Sequence, residues 1–519
     1  MGERPVVRSA GRLSRGVERA SRIVPQGQLL RQREYRRFGR PPLRITSTRT
    51  SDRQRCVAHG TMRRMSVGYW LRGDVPRAGD PLEGDLVADV AIIGAGFTGL
   101  WTAIALGDTD PSLRIVVLEA ETMAFGASGR NGGFCEASLT HGLANGILHF
   151  PDELEVLERE GIDNLRGLIA FTREHGIACD LEETGTVSFA DAPHQADELR
   201  AWVDVAAEHG EHLEFLDRSA AQAEVHSPTW HAGVYRPPGR DVLLDPVKLC
   251  RGIGRVAAER GVSIFEHTRV TGVERRAGAA VVRVAGGSSV RAEHVVVATS
   301  AYSGWLRRLR PTFVPVYDYA LVSEPLTPTE RASIGWRRRQ GLSDSNNQFH
   351  YFRLTADDRI LWGGYDAIYH FGSAVAPHLD QRPETFARLE AQFFRTFPQL
   401  AGLRFPYRWG GAIDTTSRFT VTFGQTLGGR LTYALGYTGL GVGASRWAAG
   451  VVRDLILRPD EDRLRLRIVA SPPIPFPPEP LRFAAIQAVR HELDRADRNQ
   501  GRRSILLRTL DELGIGFDS

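Results

Sequence analysis

The hydrophobic pattern is sharpest over residues 87–121, VADVAIIGAGFTGLWTAIALGDTDPSLRIVVLEAE. A mostly apolar run, Val87–Ile93, predicts a buried parallel strand; it breaks into Gly94, Gly96 and Gly99 where an apolar helical stretch begins, and Ile115–Leu118 predicts a second strand. Further on the period becomes that of helices. Leu154, Leu157, Leu165, Leu168 and Ile169 share one face over residues 151–178, residues 195–209 form another amphipathic stretch, and Asp245-Pro246 opens a helix that runs to Arg260. Short apolar runs at residues 185–190, 263–265, 268–274, 279–284 and 294–298 predict strands. Residues 314–364 are β-rich and aromatic, with a hairpin turning at Ala356-Asp357-Asp358, and a helix over residues 383–397 follows. A strand, glycine turn and helix then recur in LTYALGYTGLGVGASRWAAGVVRDLIL. The tail opens on PPIPFPPEP, an extended spacer, and closes on a helix over residues 481–495 and an amphipathic RRSILLRTLDELGIGF, expected to pack on the body or on a second subunit.

With 519 residues the chain can hold two or more domains. No run approaches the roughly 18 apolar residues of a membrane helix, so no membrane span is expected. Cys56, Cys135, Cys179 and Cys250 show no metal-ligand spacing, so no metal is expected, and the cytoplasm is the expected compartment. The net charge of +5 is unevenly spread: residues 1–65 carry 17 Arg, no Lys and four acids, a net +13, which leaves −8 for the remainder. Without apolar periodicity, that segment reads as a disordered basic extension. A nucleic-acid or anionic-membrane arm would call for aromatic interleaving that is sparse here, so no nucleic-acid partner is expected. A transit peptide is a second reading. A true start at Met62 or Met65 is favoured over both, because ordered-looking sequence, SVGYWLRG, begins there. Lys248 is the only lysine in the chain.

The glycine spacing carries chemistry. Gly94 permits the tight turn, Gly96 leaves no Cβ between backbone and a pyrophosphate, and Gly99 lets the helix lie close on its strand. The helix N-terminus offers free N–H groups to phosphate. Glu119, twenty positions past Gly99, ends the second strand where a carboxylate can accept from a ribose diol, so FAD or NAD is expected rather than NADP. Residues 123–134, MAFGASGRNGGF, form a polar, permissive loop able to set backbone N–H groups against phosphate or a polyol chain. In VVVATSAYSGWL the strand breaks into Ala298-Thr299-Ser300-Ala301, small residues that let a backbone approach the dinucleotide from its other side.

Taken together these motifs resemble the FAD-dependent amine and amino-acid oxidoreductases of the D-amino-acid oxidase superfamily, over residues 87–457. The shared layout is a GxGxxG with an acid after the second strand, a middle strand ending in ATxA, and a C-terminal strand running into GYTGxG and a helix. GASGRNGG, HYFRLTADDRILWGG and WGG look most like the gamma-glutamylputrescine oxidase branch. The resemblance implies an α/β plus α+β fold. A discontinuous Rossmann-like FAD-binding domain would span residues 66–150, 236–305 and 405–460, an antiparallel β-sheet substrate domain residues 151–235 and 306–404, and a Pro-rich spacer and helical tail residues 461–519. It also implies non-covalent FAD, with Gly94, Gly96, Gly99 and Glu119 on the ADP half, Val270 near the adenine and Thr299 at the small-residue crossing. Ser128, Gly129, Arg130, Asn131 and Gly132 would line the ribityl and isoalloxazine, and Thr438, Gly439, Leu440 and Gly441 the pyrimidine edge. NAD would not require this distant third element, which selects FAD.

The implied reaction oxidises the C–N bond of a small-molecule amine, hydride passing to the flavin and the imine hydrolysing to an aldehyde or ketone. His350, Tyr351 and Arg353 on the hairpin, with Trp409 and Tyr437, are the candidate catalytic residues. In glycine oxidase-like relatives a WxGLRP stretch supplies an Arg that clamps the substrate carboxylate. Here Trp409-Gly410-Gly411-Ala412-Ile413 puts Ile413 at that place, which favours an amine such as a polyamine derivative over an α-amino acid, with Arg353 or Arg418 able to substitute. Sarcosine-oxidase-like members use a lysine near the flavin to activate oxygen, whereas Lys248 lies in a helix start away from the motifs. Oxygen is the expected acceptor; an amino-acid dehydrogenase with another acceptor and a nucleotide-binding protein without turnover are the alternatives.

Overall fold

Strand Leu86–Ile93 is buried at every position from Val90 onward, as a parallel strand covered on both faces requires. It pairs in parallel with Ile115–Leu118 on one side and Ser289–Val297 on the other. The sheet continues through Ser263–Phe265 at one edge and through Leu431–Leu435 and Thr422–Thr426 at the other. Helices Phe97–Thr109, Pro246–Glu259 and Gly441–Leu457 cover one face, their Leu100, Ile253 and Val452 sharing a core with Ile92 and Val117. The hairpin Val270–Arg276 and Ala279–Val284 contributes Ala280 and Val282 to the core on the other face, against Ala91 and Val116. This is the Rossmann-like layer, drawn from separated stretches of chain. The computed structural model describes residues 68–73, 79–276 and 278–512; the basic extension read into residues 1–65 lies outside them.

A second sheet of eight strands runs in the order Tyr407–Thr415, Val314–Val322, Ile360–Tyr369, His350–Leu354, Gly341–Asp344, Thr186–Ala190, Ala232–Arg236, Glu214–Leu216. Its pairs are antiparallel except Gly341–Asp344 with Thr186–Ala190, which is parallel. Residues 405–460, grouped by sequence with the nucleotide layer, are divided between the sheets. Tyr407–Thr415 is an edge strand of the second, because it pairs along its length with Val314–Val322. The hairpin forms as expected between His350–Leu354 and Ile360–Tyr369. Helix Pro383–Thr396 covers one face of this sheet, its Phe386, Leu389 and Phe393 in one core with Tyr319, Phe352 and Trp362. On the other face Ala320, Leu361 and Trp409 join the core of the nucleotide layer. Among the described residues no helix is long and apolar enough to cross a membrane.

The tail packs on the body, the first of the two expected placements. Phe476, Phe483 and Ile486 rest on Val316, Ala367 and Tyr369. Tyr369 Oη donates to Glu479 at 2.6 Å, and Asp497 accepts the backbone N–H groups of Asn347 at 2.9 Å and Gln348 at 3.0 Å. Phe483→Ala should therefore lower stability by about 2 kcal/mol while leaving flavin content unchanged, and truncation after Ala470 should cost more, both measured by chemical denaturation.

Candidate active site

Backbone approaches side-chain-free backbone at the end of the first strand. Gly94 has φ +106°, and a Cβ there would stand 2.7 Å from the carbonyl oxygen of Ala298, so the small-residue crossing lies against the first turn. A Cβ on Gly99 would stand 2.0 Å from the Gly94 oxygen, and one on Gly96 2.8 Å from Ser128 Oγ. Glu119 accepts from Ala95 N–H at 2.8 Å and Glu121 N–H at 2.9 Å, bracing the turn; burial raises its pKa against those two bonds. Thr268 N–H donates to the Glu119 carbonyl at 2.7 Å, which brings Val270, two residues on, to the same end of the crevice. Thr299 Oγ1 lies 2.7 Å from Ser303 Oγ.

The 127–133 loop folds onto this turn. Ser128 Oγ accepts Phe97 N–H at 3.0 Å, at the start of the first helix. Asn131 closes the loop on itself: its amide donates to the Ala127 and Ser128 carbonyls at 3.0 and 3.1 Å and accepts from Gly133 N–H at 2.9 Å. Gly129 is required because a Cβ would strike the Ala124 oxygen at 2.2 Å; one on Gly132 would meet the Tyr351 ring at 2.6 Å. Arg130, expected to line the flavin, commits its guanidinium instead to Asp380 at 2.7 Å and to the carbonyls of Phe125 and Gly410, with both charged side chains under a tenth exposed. Outside the loop, Trp409 Nε1 donates to the Arg130 carbonyl at 2.9 Å and Trp70 Nε1 to that of Asn131 at 2.8 Å.

The third glycine-bearing segment reaches the same place. Thr98 Oγ1, in the first turn of the first helix, donates to Tyr437 Oη at 2.9 Å. Thr438 is left-handed at φ 51° and Gly439 at φ 97°, a turn held by Asp414, whose carboxylate accepts Gly436 N–H at 2.6 Å and whose carbonyl accepts Thr438 N–H at 3.1 Å. Burial raises the Asp414 carboxyl to about 6, against the Gly436 bond. Helix Gly441–Leu457 begins right after Leu440, and a Cβ on its Gly443 would fall 2.3 Å from the Glu136 carbonyl. Its N-terminus therefore lies beside the strand that leaves the 127–133 loop.

Strand alternation divides the hairpin candidates. Tyr351 and Arg353 meet Gly132 and Gly133 of the loop. His350 is on the opposite face, stacked on Trp362 and with Nδ1 2.6 Å from Asp344 Oδ2, so grouping it with the other two is corrected by the two-residue period of the strand. Burial opposes its protonation, but Asp344 prevails and raises its pKa. Arg353 is wholly buried and donates to the carbonyls of Gly133, Leu244 and Leu354, which makes it a tie between loop and sheet. Arg418 is likewise spent, on Thr420, Ser471 and the Ile468 carbonyl. Lys248 pairs with Asp180 at 2.6 Å, in the first turn of the Asp245-capped helix. Sequence reasoning missed Asp318, Asp380 and Asp414. Asp318 carried a visible signal, one acid within the nine-residue apolar strand VPVYDYALV.

Three glycine-bearing segments and a strand-end acid converge at one end of the Rossmann-like sheet, against a largely antiparallel second sheet, the layout of a flavin-dependent oxidoreductase. The chain belongs to the DAO family of FAD-dependent oxidoreductases, whose profile matches residues 89–455. It is 30% identical over 422 residues to gamma-glutamylputrescine oxidoreductase of Escherichia coli (strain K12), covering 77% of this chain and 90% of that protein. It is 27% identical over 385 residues to a probable oxidoreductase, OrdL, of Haemophilus influenzae, covering 72% and 84%. Among solved structures, glycine oxidase from Geobacillus kaustophilus superposes with a TM-score of 0.61 at 21% identity, over 73% of this chain and 96% of that one. FAD is the cofactor of the family, and the residues present fit it: Gly94, Gly96 and Gly99 let the turn pack closely enough to leave the N-terminus of helix Phe97–Thr109 bare of side chains for a pyrophosphate. Relatives of this chain include enzymes named for amine and amino-acid substrates, gamma-glutamylputrescine oxidoreductase and glycine oxidase among them.

Gly94→Ala should give protein that does not take up FAD, seen as loss of flavin absorbance after purification. Arg353→Met, which strands buried carbonyls, should cost about 3 kcal/mol in denaturation and lower flavin occupancy without selectively weakening any anionic substrate.

Proposed function

We propose that this protein oxidises an amine carrying no carboxylate at the reacting carbon, a polyamine derivative in which one end of a diamine is acylated, with oxygen as acceptor. What supports this reading is the charge around the pocket: Ile413, part-exposed on its strand, stands where a carboxylate-clamping guanidinium would, and Arg130, Arg353 and Arg418 are all committed to protein partners. The printed name of the Escherichia coli relative, gamma-glutamylputrescine oxidoreductase, points the same way.

In this reading Gly94, Gly96, Gly99, Glu119 and Val270 hold the ADP half of non-covalent FAD. Ser128, Gly129, Asn131 and Gly132 lie along its middle, and Thr438, Gly439, Leu440 and Gly441 lie at the ring. FAD when bound supplies the hydride acceptor. Asp414 and Tyr437 hold the last turn in place, and the N-terminus of helix Gly441–Leu457 favours negative charge beside it. Tyr351 and Trp409 wall the site and exclude water. Cys135 and Cys250, free and buried, are kept as thiols by desolvation and are not positioned as nucleophiles. Free thiols also support the cytoplasm as the compartment. Gly439 is exposed, leaving the turn open to a small oxidant. The engagement of Lys248 with Asp180 favours a second reading, a dehydrogenase that passes electrons to another acceptor.

Anaerobic mixing with a panel of amines and α-amino acids, followed by air, tests both. Bleaching by mono-acylated diamines and peroxide on aeration are expected; bleaching by α-amino acids alone would sink the amine reading, and reoxidation without peroxide would favour the dehydrogenase. Ile413→Arg should raise kcat/KM for α-amino acids relative to amines by about tenfold.

A further inference from the structure

Strand Val314–Val322 is buried at every position except Asp318, and strand His350–Leu354 at every position except Tyr351. The two exceptions meet, Tyr351 Oη donating to Asp318 Oδ2. A glycine is paired with each of them. In register Tyr351 stands opposite Gly363 and Asp318 opposite Gly411, and a Cβ on Gly363 would strike the Tyr351 phenol at 2.1 Å. This is the face that looks onto the 127–133 loop: a Cβ on Gly411 would lie 3.1 Å from the Arg130 side chain, and the Tyr351 ring abuts Gly132. A carboxylate and a phenol are thus the only part-exposed positions of these two strands, directly across from the loop assigned to the flavin.

We propose that Asp318 is the group that takes the proton from the incoming substrate ammonium, with Tyr351 positioning its carboxylate. The proposal rests on the amine reading above. An aliphatic ammonium, with a pKa near that of lysine at about 10, arrives protonated and has no lone pair to drive loss of hydride. On transfer an N–H bond breaks, an O–H bond forms on Asp318, and the electron pair stays on nitrogen, leaving a neutral amine. Burial raises the Asp318 carboxyl to about 7, against the bonds from Tyr351 and Tyr319 N–H that favour its charged form. The other titratable groups about it are Asp366, which raises it, and His350, which lowers it. Arg388 is paired with Asp366, His350 with Asp344 and Arg130 with Asp380, so the cations of the neighbouring elements are already matched. An arriving ammonium would supply the charge that Asp318 lacks.

The test uses flavin-loaded full-length protein, 1,4-diaminobutane and its mono-N-acetyl derivative as reactive probes, and a tert-alkyl amine, which has no α-hydrogen, as an unreactive one. Asp318→Asn should slow anaerobic bleaching at pH 7 by about 100-fold, with the rate then climbing about tenfold per pH unit as free amine accumulates, whereas the parent levels off above its own acid limb. Calorimetry should show the tert-alkyl ammonium binding about tenfold more weakly to Asp318→Asn. Asp318→Glu should restore part of the rate, and Tyr351→Phe should move the acid limb to higher pH, because loss of a bond to the charged carboxylate raises its pKa. Flavin spectrum and melting temperature control for misfolding. Parent and Asp318→Asn bleaching alike, with the same pH profile, would overturn this proposal and leave the amine reading intact. Failure of every amine to bleach the parent would overturn both.

Discussion

At the end of strand Leu86–Ile93 three main-chain segments pass within a side chain's breadth of one another. The Ala298 carbonyl would meet a Gly94 Cβ at 2.7 Å, the Gly94 carbonyl a Gly99 Cβ at 2.0 Å, and Ser128 a Gly96 Cβ at 2.8 Å. Removal of side chains at these positions costs backbone entropy, about 0.5–1 kcal/mol for each glycine in a regular element. That cost brings the free N–H groups of helix Phe97–Thr109, the strand-end Glu119 and the serine of the next loop to a single point. The other elements of the site are located relative to it, through Thr98 to Tyr437 and through Asn131 to Trp70.

The second sheet is fastened to that point by buried polar ties. Arg353 and Arg130 are cations taken out of water, which is favourable only where carbonyls and carboxylates replace the lost hydration. Arg353 finds three carbonyls, and Arg130 finds Asp380 and two carbonyls. Each spans the boundary between loop and sheet, so the 127–133 loop cannot shift without stranding a buried charge. The interaction specifies a geometry more than it adds net stability.

The sequence made the nucleotide layer legible because its signals are local. Unbroken apolar strands, the spacing of Gly94, Gly96 and Gly99, and the acid at Glu119 each follow from the physics of one βαβ unit. The hairpin and its turn could be read for the same reason. What resisted was pairing across long separations. Tyr407–Thr415 carries nothing in its own residues to say that its partner is Val314–Val322 rather than Leu431–Leu435, so its place in the second sheet is visible only in the structure. His350, Tyr351 and Arg353 looked alike as polar residues on a strand, but a strand turns alternate positions to opposite faces, and only knowing which face helix Pro383–Thr396 covers separates them. Arg130 looked like a ligand residue because Asp380, its partner, lies 250 positions away.

The same bookkeeping of charge distinguishes what the pocket can accept. A site for an α-amino acid needs a fixed cation, yet the guanidinia near this crevice are already satisfied by the protein, and the strand position that could have offered one holds Ile413. A site for an unadorned amine needs the reverse, an anion that is present but not neutralised. Asp318 meets that condition because Tyr351 gives it a hydrogen bond without a charge. A phenol can hold a carboxylate in place and still leave it anionic, which an arginine or lysine at that position could not do without cancelling the field that draws in the substrate. The glycines at 363 and 411 complete the arrangement, since a side chain at 363 would strike the Tyr351 phenol that holds this carboxylate and one at 411 would crowd the Arg130 side chain across from it.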